Sequence, residues 1–242
     1  MIKNWLFCYA EHNKKTKRRF YHLSKEGEID FWQVVNDYID GKIAGKNLSS
    51  GNIDRSVARI QVNGQNFIIK CEKERDKRFE KRLMRIISGP FYSRLLKRLV
   101  TAQNKGCTVT NDIYFVAEKM VGRESVETWI IAEYVEGTVL SEIDDIKPYY
   151  TEMKTIINQL HRYGLSSNDI HAGNFVITNE GLKVIDLSDY GNFAICKAND
   201  LIALQRFYNI EPDSKNFVYR FIRFRDNFRH WSRKVRGKKT RL

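Results

Sequence analysis

Asp169, Asn174 and Asp186 are the residues whose types and spacing suit chemistry. Asp169 stands in a polar loop, Leu165-Ser-Ser-Asn-Asp-Ile-His-Ala-Gly-Asn174, and Asn174 follows it by five residues. An apolar run from Phe175 to Ile177, a turn at Asn179-Glu180-Gly181 and a second apolar run from Leu182 to Ile185 then lead into Asp186. Short apolar runs bounded by turn residues read as a hairpin, and folding it carries all three side chains to one end. A hard divalent cation takes oxygen ligands, and an Asn carbonyl with an Asp carboxylate supplies them while leaving positions for water and phosphate oxygens. Asp169 remains to accept a hydroxyl proton. The chemistry that fits is transfer of a metal-bound phosphate. A plain surface hairpin also places Asp and Asn in its turns, but the full run Asp-x-His-x-Gly-Asn-Phe, two short strands and then Ile-Asp is far rarer by chance.

The elements that must position these groups are legible on both sides. Pro148 to Gly164 reads as an amphipathic helix with Met153, Ile156, Ile157 and Leu160 at core spacing. It delivers the chain into the loop. His161 is expected to pack or face solvent and receives no chemical role; His171, inside the loop, is expected to brace the backbone. After Asp186 only a short connection, Leu187 to Asn199, precedes a helix expected to begin at Asp200, where an acid suits the positive end of the helix dipole.

Upstream, residues 5–23 suggest two strands joined by a charged turn, and Ile29 to Ile39 a helix with Phe31, Val34, Val35 and Tyr38 on one face. From Leu48 the pattern is strand, a loop at Ser49-Ser50-Gly51, a strand over Val57 to Val62, a tight turn at Asn63-Gly64 and a strand Phe67-Ile-Ile-Lys70. Asn-Gly between apolar strands is a strong hairpin signal because both residues tolerate positive φ. Asp76 to Ile87 reads as a helix buried through Phe79, Leu83 and Ile86 or Ile87. Trp129-Ile-Ile-Ala-Glu-Tyr-Val-Glu-Gly137 is an apolar strand running into an acidic turn. In the tail, Phe221, Phe224, Phe228 and Trp231 form one aromatic stripe at helical spacing among ten Lys and Arg between Tyr219 and Leu242. Such a stripe either docks on the chain's own large lobe or lies on an anionic membrane surface with Trp231 at the headgroup level.

At 242 residues and 42% apolar content the chain can fill the core of one large domain or two small lobes. Its 42 Lys and Arg against 29 Asp and Glu give a formal charge of +13, which points to a polyanionic partner: nucleic acid, anionic lipid or a phosphorylated glycan. The four cysteines are scattered without metal or redox spacing and fit a reducing compartment. No apolar run approaches the ~18 residues that span a bilayer, and Trp5 to Ala10 is too short and poorly flanked for a signal peptide. A cytoplasmic location is expected. A nucleic-acid-binding protein would account for the charge but not for the acid-Asn-acid hairpin, so no nucleic acid is expected.

The loop and hairpin resemble those of the protein-kinase-like phosphotransferases, in which an Asp, an Asn five residues on and a following Asp divide the work in this way. The resemblance implies an α+β, bilobal fold: residues 1–132 an N-terminal extension and a small antiparallel-sheet lobe, residues 133–242 a mainly helical lobe with the catalytic loop and a basic C-terminal helix. It implies ATP and Mg2+ as cofactors, Asp169 as catalytic base, and Asn174 and Asp186 as metal ligands. Lys70 would bind the phosphates and pair with Glu80, or with Glu74, on the next helix. The loop near Gly51 would cover the phosphates. Backbone groups at about Glu133 and Val135 would hold the adenine, and Asp200 would brace the catalytic loop. Ser167 stands where a His commonly precedes the catalytic Asp, and Ser188 replaces the glycine two residues after the metal-binding Asp; neither change removes a chemical group.

With the Glu-Tyr-Val-Glu-Gly turn, the short segment after Asp186 and the Arg-rich aromatic tail added, the chain is similar to the lipopolysaccharide core heptose(II) kinase family over most of residues 45–240. That implies ATP-dependent phosphorylation of a heptose hydroxyl of the core glycolipid, on the cytoplasmic face of the bacterial inner membrane. The other readings left open are a kinase of proteins or other small molecules and a silent pseudokinase scaffold.

Overall fold

The computed structural model describes residues 8–13, 18–22, 29–48, 55–73, 91–121, 124–188, 192–213 and 215–235. The chain divides into two compact units, Met1–Gly137 and Thr138–Leu242. The first carries a seven-stranded antiparallel sheet and the second is mainly helical, an α+β arrangement.

In the first unit, β1 (Cys8–Asn13), β2 (Arg18–His22), β3 (Gly45–Leu48), β4 (Arg55–Val62), β5 (Gln65–Glu72), β6 (Ile113–Val121) and β7 (Glu124–Glu133) pair in the order β1-β2-β6-β7-β5-β4-β3. Helix α1 (Phe31–Ile39) starts where Asp30 accepts hydrogen bonds from the backbone amides of Trp32 and Gln33 at 3.0 and 3.1 Å, satisfying two donors that a helix start leaves unpaired. Its Val34 and Val35 bury against Ile60, Phe67, Ile69, Phe115, Trp129 and Ile131 on one face of the sheet. Strand side chains alternate. Lys70, between Ile69 and Cys71 of that core, therefore stands on the opposite face, half-buried.

The β4–β5 hairpin has the expected register, Val62 opposite Gln65, with Asn63 at φ 50° and Gly64 at φ 79°. Both central residues are left-handed, so the turn twists with its strands. A Cβ at Gly64 would meet no atom within 4 Å, so Gly64→Ala is expected to cost only the backbone penalty of about 1 kcal/mol, read as a lower urea midpoint at unchanged slope.

Two elements here are not singled out by sequence pattern, β6 and helix α2 (Phe91–Asn104). Leu95, Leu96, Leu99, Val100 and Ala102 of α2 are buried, but Arg94, Lys97 and Arg98 between them mask the stripe. The loop near Gly51, the helix expected over Asp76 to Ile87 with Glu74 and Glu80, and the charged turn 14–17 lie outside the described residues.

In the second unit, β8 (Thr138–Val139), β9 (Phe175–Thr178) and β10 (Gly181–Val184) form a small antiparallel sheet in the order β10-β9-β8. Helix α3 (Tyr150–Arg162) buries Met153, Ile156, Ile157 and Leu160, as their spacing predicts. Helix α4 (Phe193–Tyr208) begins at an Asn192 cap that accepts from Ala194 and Ile195. It starts seven residues before Asp200, so the expectation that Asp200 opens the helix is corrected. Asn192 is the better cap because its side chain folds back onto the first-turn amides. Asp200 is wholly buried inside the helix. Helix α5 (Phe217–Val235) packs on α4 through Tyr219 and Ile222 against Ala198 and Leu201. No helix of the described residues is long and apolar enough to cross a membrane.

Candidate active site

The loop from Leu165 to Asn174 leaves α3 through Gly164 and ends in a single 3-10 turn, Ala172–Asn174. Its centre is the Asp169 carbonyl, which accepts from His171 N (3.1 Å), Ser167 Oγ (3.3 Å) and Asn174 Nδ2 (2.9 Å). Three donors on one carbonyl fix the residue and leave its carboxylate exposed to solvent. The Asn174 side chain is buried, and anchoring its nitrogen turns the amide so that the carbonyl oxygen is the end left for a ligand. The Asn174 backbone carbonyl accepts from Ile185 N at 2.9 Å, which ties the loop to the residue before Asp186.

A second set of bonds joins the loop to the segment after β10. Ser166 Oγ and Asn168 Nδ2 donate to the Ser188 carbonyl at 3.3 and 3.0 Å, and Ser188 N donates to the Ser166 carbonyl at 3.4 Å. Asn168, next to Asp169, and Asp186 itself adopt φ 56° and 62°. Left-handed backbone at residues other than glycine gathers where function over-determines geometry. Here it occurs at or beside both candidate acids.

The ring of His171 approaches Asp169 Oδ2 at 3.6 Å. It lies over Gly173, where a Cβ would come within 3.0 Å of the imidazole. The imidazole thus lies between the Gly173 backbone and the Asp169 carboxylate.

Below the loop sits a buried carboxylate. Asp200 Oδ1 accepts from Asn168 N at 2.6 Å, and Oδ2 accepts from Ser167 N at 3.0 Å and from His161 Nε2 at 3.0 Å. The Asp200 and His161 side chains are 0% and 2% exposed, so this bracket works away from water, where a hydrogen bond is strongest. Farther along α4, the phenol of Tyr208 meets the backbone of Ala172, and burial pushes its pKa up. Helix α3 holds the hairpin from the other side, with Glu152 Oε1 accepting from Leu182 N at 2.7 Å. Glu152→Ala is expected to lower stability by about 1 kcal/mol, since the glutamate is only half-buried, and a thermal melt checks it.

The donor set suits a hard cation. Asn174 offers a carbonyl and Asp186 a carboxylate, and among the described residues no group of three His, Cys, Asp or Glu forms a closed cage. Magnesium uses one or two protein oxygens and completes its shell with water and substrate phosphates.

In the first unit, Lys70 pairs across the sheet with Val57 and Ile130. Glu133 ends β7, donating its amide to the Asp112 carbonyl at 2.9 Å and accepting the Asp112 amide on its carboxylate at 3.0 Å. The chain leaves the sheet at Tyr134, and Val135 follows outside any strand, half-buried. Glu80 and Glu74 lie outside the described residues.

With this geometry in place, the match to known proteins is informative. Residues 12–238 match the family described as lipopolysaccharide core biosynthesis protein (WaaY). The chain belongs to that family. It is similar to the lipopolysaccharide core heptose(II) kinase WaaY of Escherichia coli strain K12, 31% identical over 221 residues, or 90% of this chain and 95% of the relative. A second Escherichia coli heptose(II) kinase WaaY is 30% identical over 91% of this chain and 96% of its own length. A solved structure described as WaaP in complex with acyl carrier protein aligns with a TM-score of 0.49 at 16% identity, covering 87% of this chain and 97% of that one.

In this member of the WaaY family, sequence spacing brings out Asp169, Asn174 and Asp186 but not the residues that hold them. Ser166, Asn168, Glu152 and Tyr208 each act through a side-chain bond to a backbone group, with Asn168 also bonded to the Ser166 hydroxyl; that is a role many polar residues can fill and no spacing announces. His161 sits on the apolar face of α3 among Ile157 and Leu160, where a His reads as packing. Its partner lies 39 residues away.

Proposed function

We propose that this chain transfers the γ-phosphoryl group of ATP to a hydroxyl of a heptose, heptose II, in the lipopolysaccharide inner core. Membership of the WaaY family and similarity to two named heptose(II) kinases support the reading. The structural observation that carries it is Asn174, which bonds the Asp169 carbonyl with its side chain and the residue before Asp186 with its backbone. One residue thus links both candidate acids.

The roles divide as follows. The Asp169 carboxylate, solvent-facing and fixed from behind, orients the acceptor hydroxyl and takes its proton as the oxygen bonds to the γ-phosphorus and ADP leaves. Asn174 and Asp186 would hold Mg2+, which would supply positive charge beside the phosphates when bound. Lys70 would meet the phosphates, and its carboxylate partner, Glu80 or Glu74, lies outside the described residues. The Glu133 carbonyl and the Val135 backbone hold the adenine edge. The Glu133 amide is already engaged by Asp112, so Val135 supplies the donor. Catalysis is then positioning and charge stabilisation. Because the acceptor is a glycolipid, the protein works at the cytoplasmic face of the inner membrane.

The test is incubation with ATP, magnesium and unphosphorylated core glycolipid, followed by mass spectrometry to locate the added phosphate. One phosphate on heptose II is expected. ATP turnover without transfer to the glycan, or no turnover, defeats the proposal.

A further inference from the structure

Helix α5 does not bury the residues that its sequence offers for burial. It packs through Tyr219 and Ile222, with Val218 half-buried beside them, while Phe217, Phe221, Phe224, Phe228 and Trp231 are 81, 57, 69, 56 and 60% exposed. At 3.6 residues per turn the five aromatics fall within an arc of about 80°, centred roughly 170° from the face that carries Tyr219 and Ile222. Phe217 stacks on Phe221 and Phe228 lies against Trp231, two ring pairs that with Phe224 line one apolar side of the helix. Exposed arginines border it on both flanks, Arg220 on one side and Arg225 on the other, the latter paired with Asp226 at 2.9 Å.

We infer that this apolar side is the surface by which the protein docks on an anionic lipid bilayer. A 3-4 spaced aromatic stripe is also the seam on which a second copy of the helix packs. Self-pairing, however, brings arginine-bordered flanks of two chains of net charge +13 together, and like charges beside a seam oppose it. An anionic membrane meets both features: the aromatic rings sink into the boundary between headgroups and acyl chains, Trp231 settles at that level, and Arg220 and Arg225 reach lipid phosphates. The opposite face of α5 grips α4 at Ala198 and Leu201, on either side of the Asp200 that brackets the candidate catalytic loop. A docked α5 therefore fixes that loop's orientation toward the bilayer, a consequence that rests on the proposed activity. The docking itself does not.

The experiment is cosedimentation of the full-length chain with vesicles of phosphatidylcholine, with and without phosphatidylglycerol, in the absence of ATP and acceptor, so that its outcome is independent of the kinase reading. The wild type is expected to bind the anionic vesicles and to leave the neutral ones largely unbound. Phe224→Ser with Phe228→Ser is expected to weaken binding by about tenfold or more, and Arg220→Gln with Arg225→Gln to erase the preference for anionic lipid. Trp231 fluorescence, taken as the difference from Trp231→Phe, is expected to be quenched by brominated lipid, a reading in the otherwise native chain. Absence of binding, equal binding to both vesicles, wild-type binding by the Phe variant, or no quenching overturns the inference. So does a dimer in sedimentation equilibrium that the Phe variant abolishes, which would make a second copy the occupant.

Discussion

Asp169→Ala is expected to lower kcat by about 10²–10⁴-fold, the usual worth of a positioned general base, while the melting temperature stays where it is. The two halves of that expectation come from different atoms of the same residue. The carboxylate is solvent-exposed and its side-chain approach is to His171 at 3.6 Å, itself exposed. Removing it opens no cavity and strands no buried donor, which keeps the stability change within roughly 0.5 kcal/mol. The carbonyl, which alanine retains, carries the bonds to His171, Ser167 and Asn174. The loop should hold its shape with the base gone, so the affinity for Mg-ATP, measured by calorimetry, should persist. Asp186→Asn supplies the contrast. Asparagine tolerates the left-handed φ of 62° found there, so the fold should survive, but losing the carboxylate should remove turnover together with the magnesium dependence of nucleotide binding. Full activity of either variant refutes the role assigned to that residue.

How far the sequence reaches depends on whether a residue's role is carried by its own pattern or by a distant partner. The β4–β5 hairpin was legible because Asn63-Gly64 determines its turn locally, and the core face of α3 because Met153, Ile156, Ile157 and Leu160 repeat with the helix. That Asn174 ties the Asp169 loop to the end of the hairpin before Asp186 was legible for a similar reason, since the hairpin fixes their spacing. The tail shows the limit. Spacing alone identified the stripe at Phe221, Phe224, Phe228 and Trp231 as a face that needs covering, yet Tyr219 and Ile222 make the contact with α4. Periodicity tells which residues share a face; it does not tell which face meets the body when both are apolar. The start of α4 was missed because Asn192 is one polar residue among several between Ser188 and Asn199, and an acid at position 200 looked like a cap. Burial, which no single residue type reveals, decided otherwise.

Asp200→Ala is expected to be the most damaging substitution in the second unit. The carboxylate accepts from two backbone amides, Ser167 N and Asn168 N, and from His161 Nε2, all with no water to replace it. Alanine leaves those donors unsatisfied at about 1–3 kcal/mol for each buried group; partial collapse of the site should hold the total to roughly 3–5 kcal/mol, the range for breaking a buried polar pair. For a chain of this size that is a fall in melting temperature on the order of 10 °C. Activity should fall further than unfolding explains. Asn168 is held at φ 56°, and without its backbone bond to Asp200 only its side-chain bonds to Ser166 and Ser188 hold the residue before Asp169, so kcat should drop at temperatures where the variant is still folded. His161→Ala removes one of the three bonds and spares both backbone amides. It should therefore cost stability while retaining most of kcat, and the double variant should be little worse than Asp200→Ala alone, because the histidine's polar partner is already gone. Equal losses of kcat in the two single variants would mean that the bracket stabilises the helices and does not hold the loop.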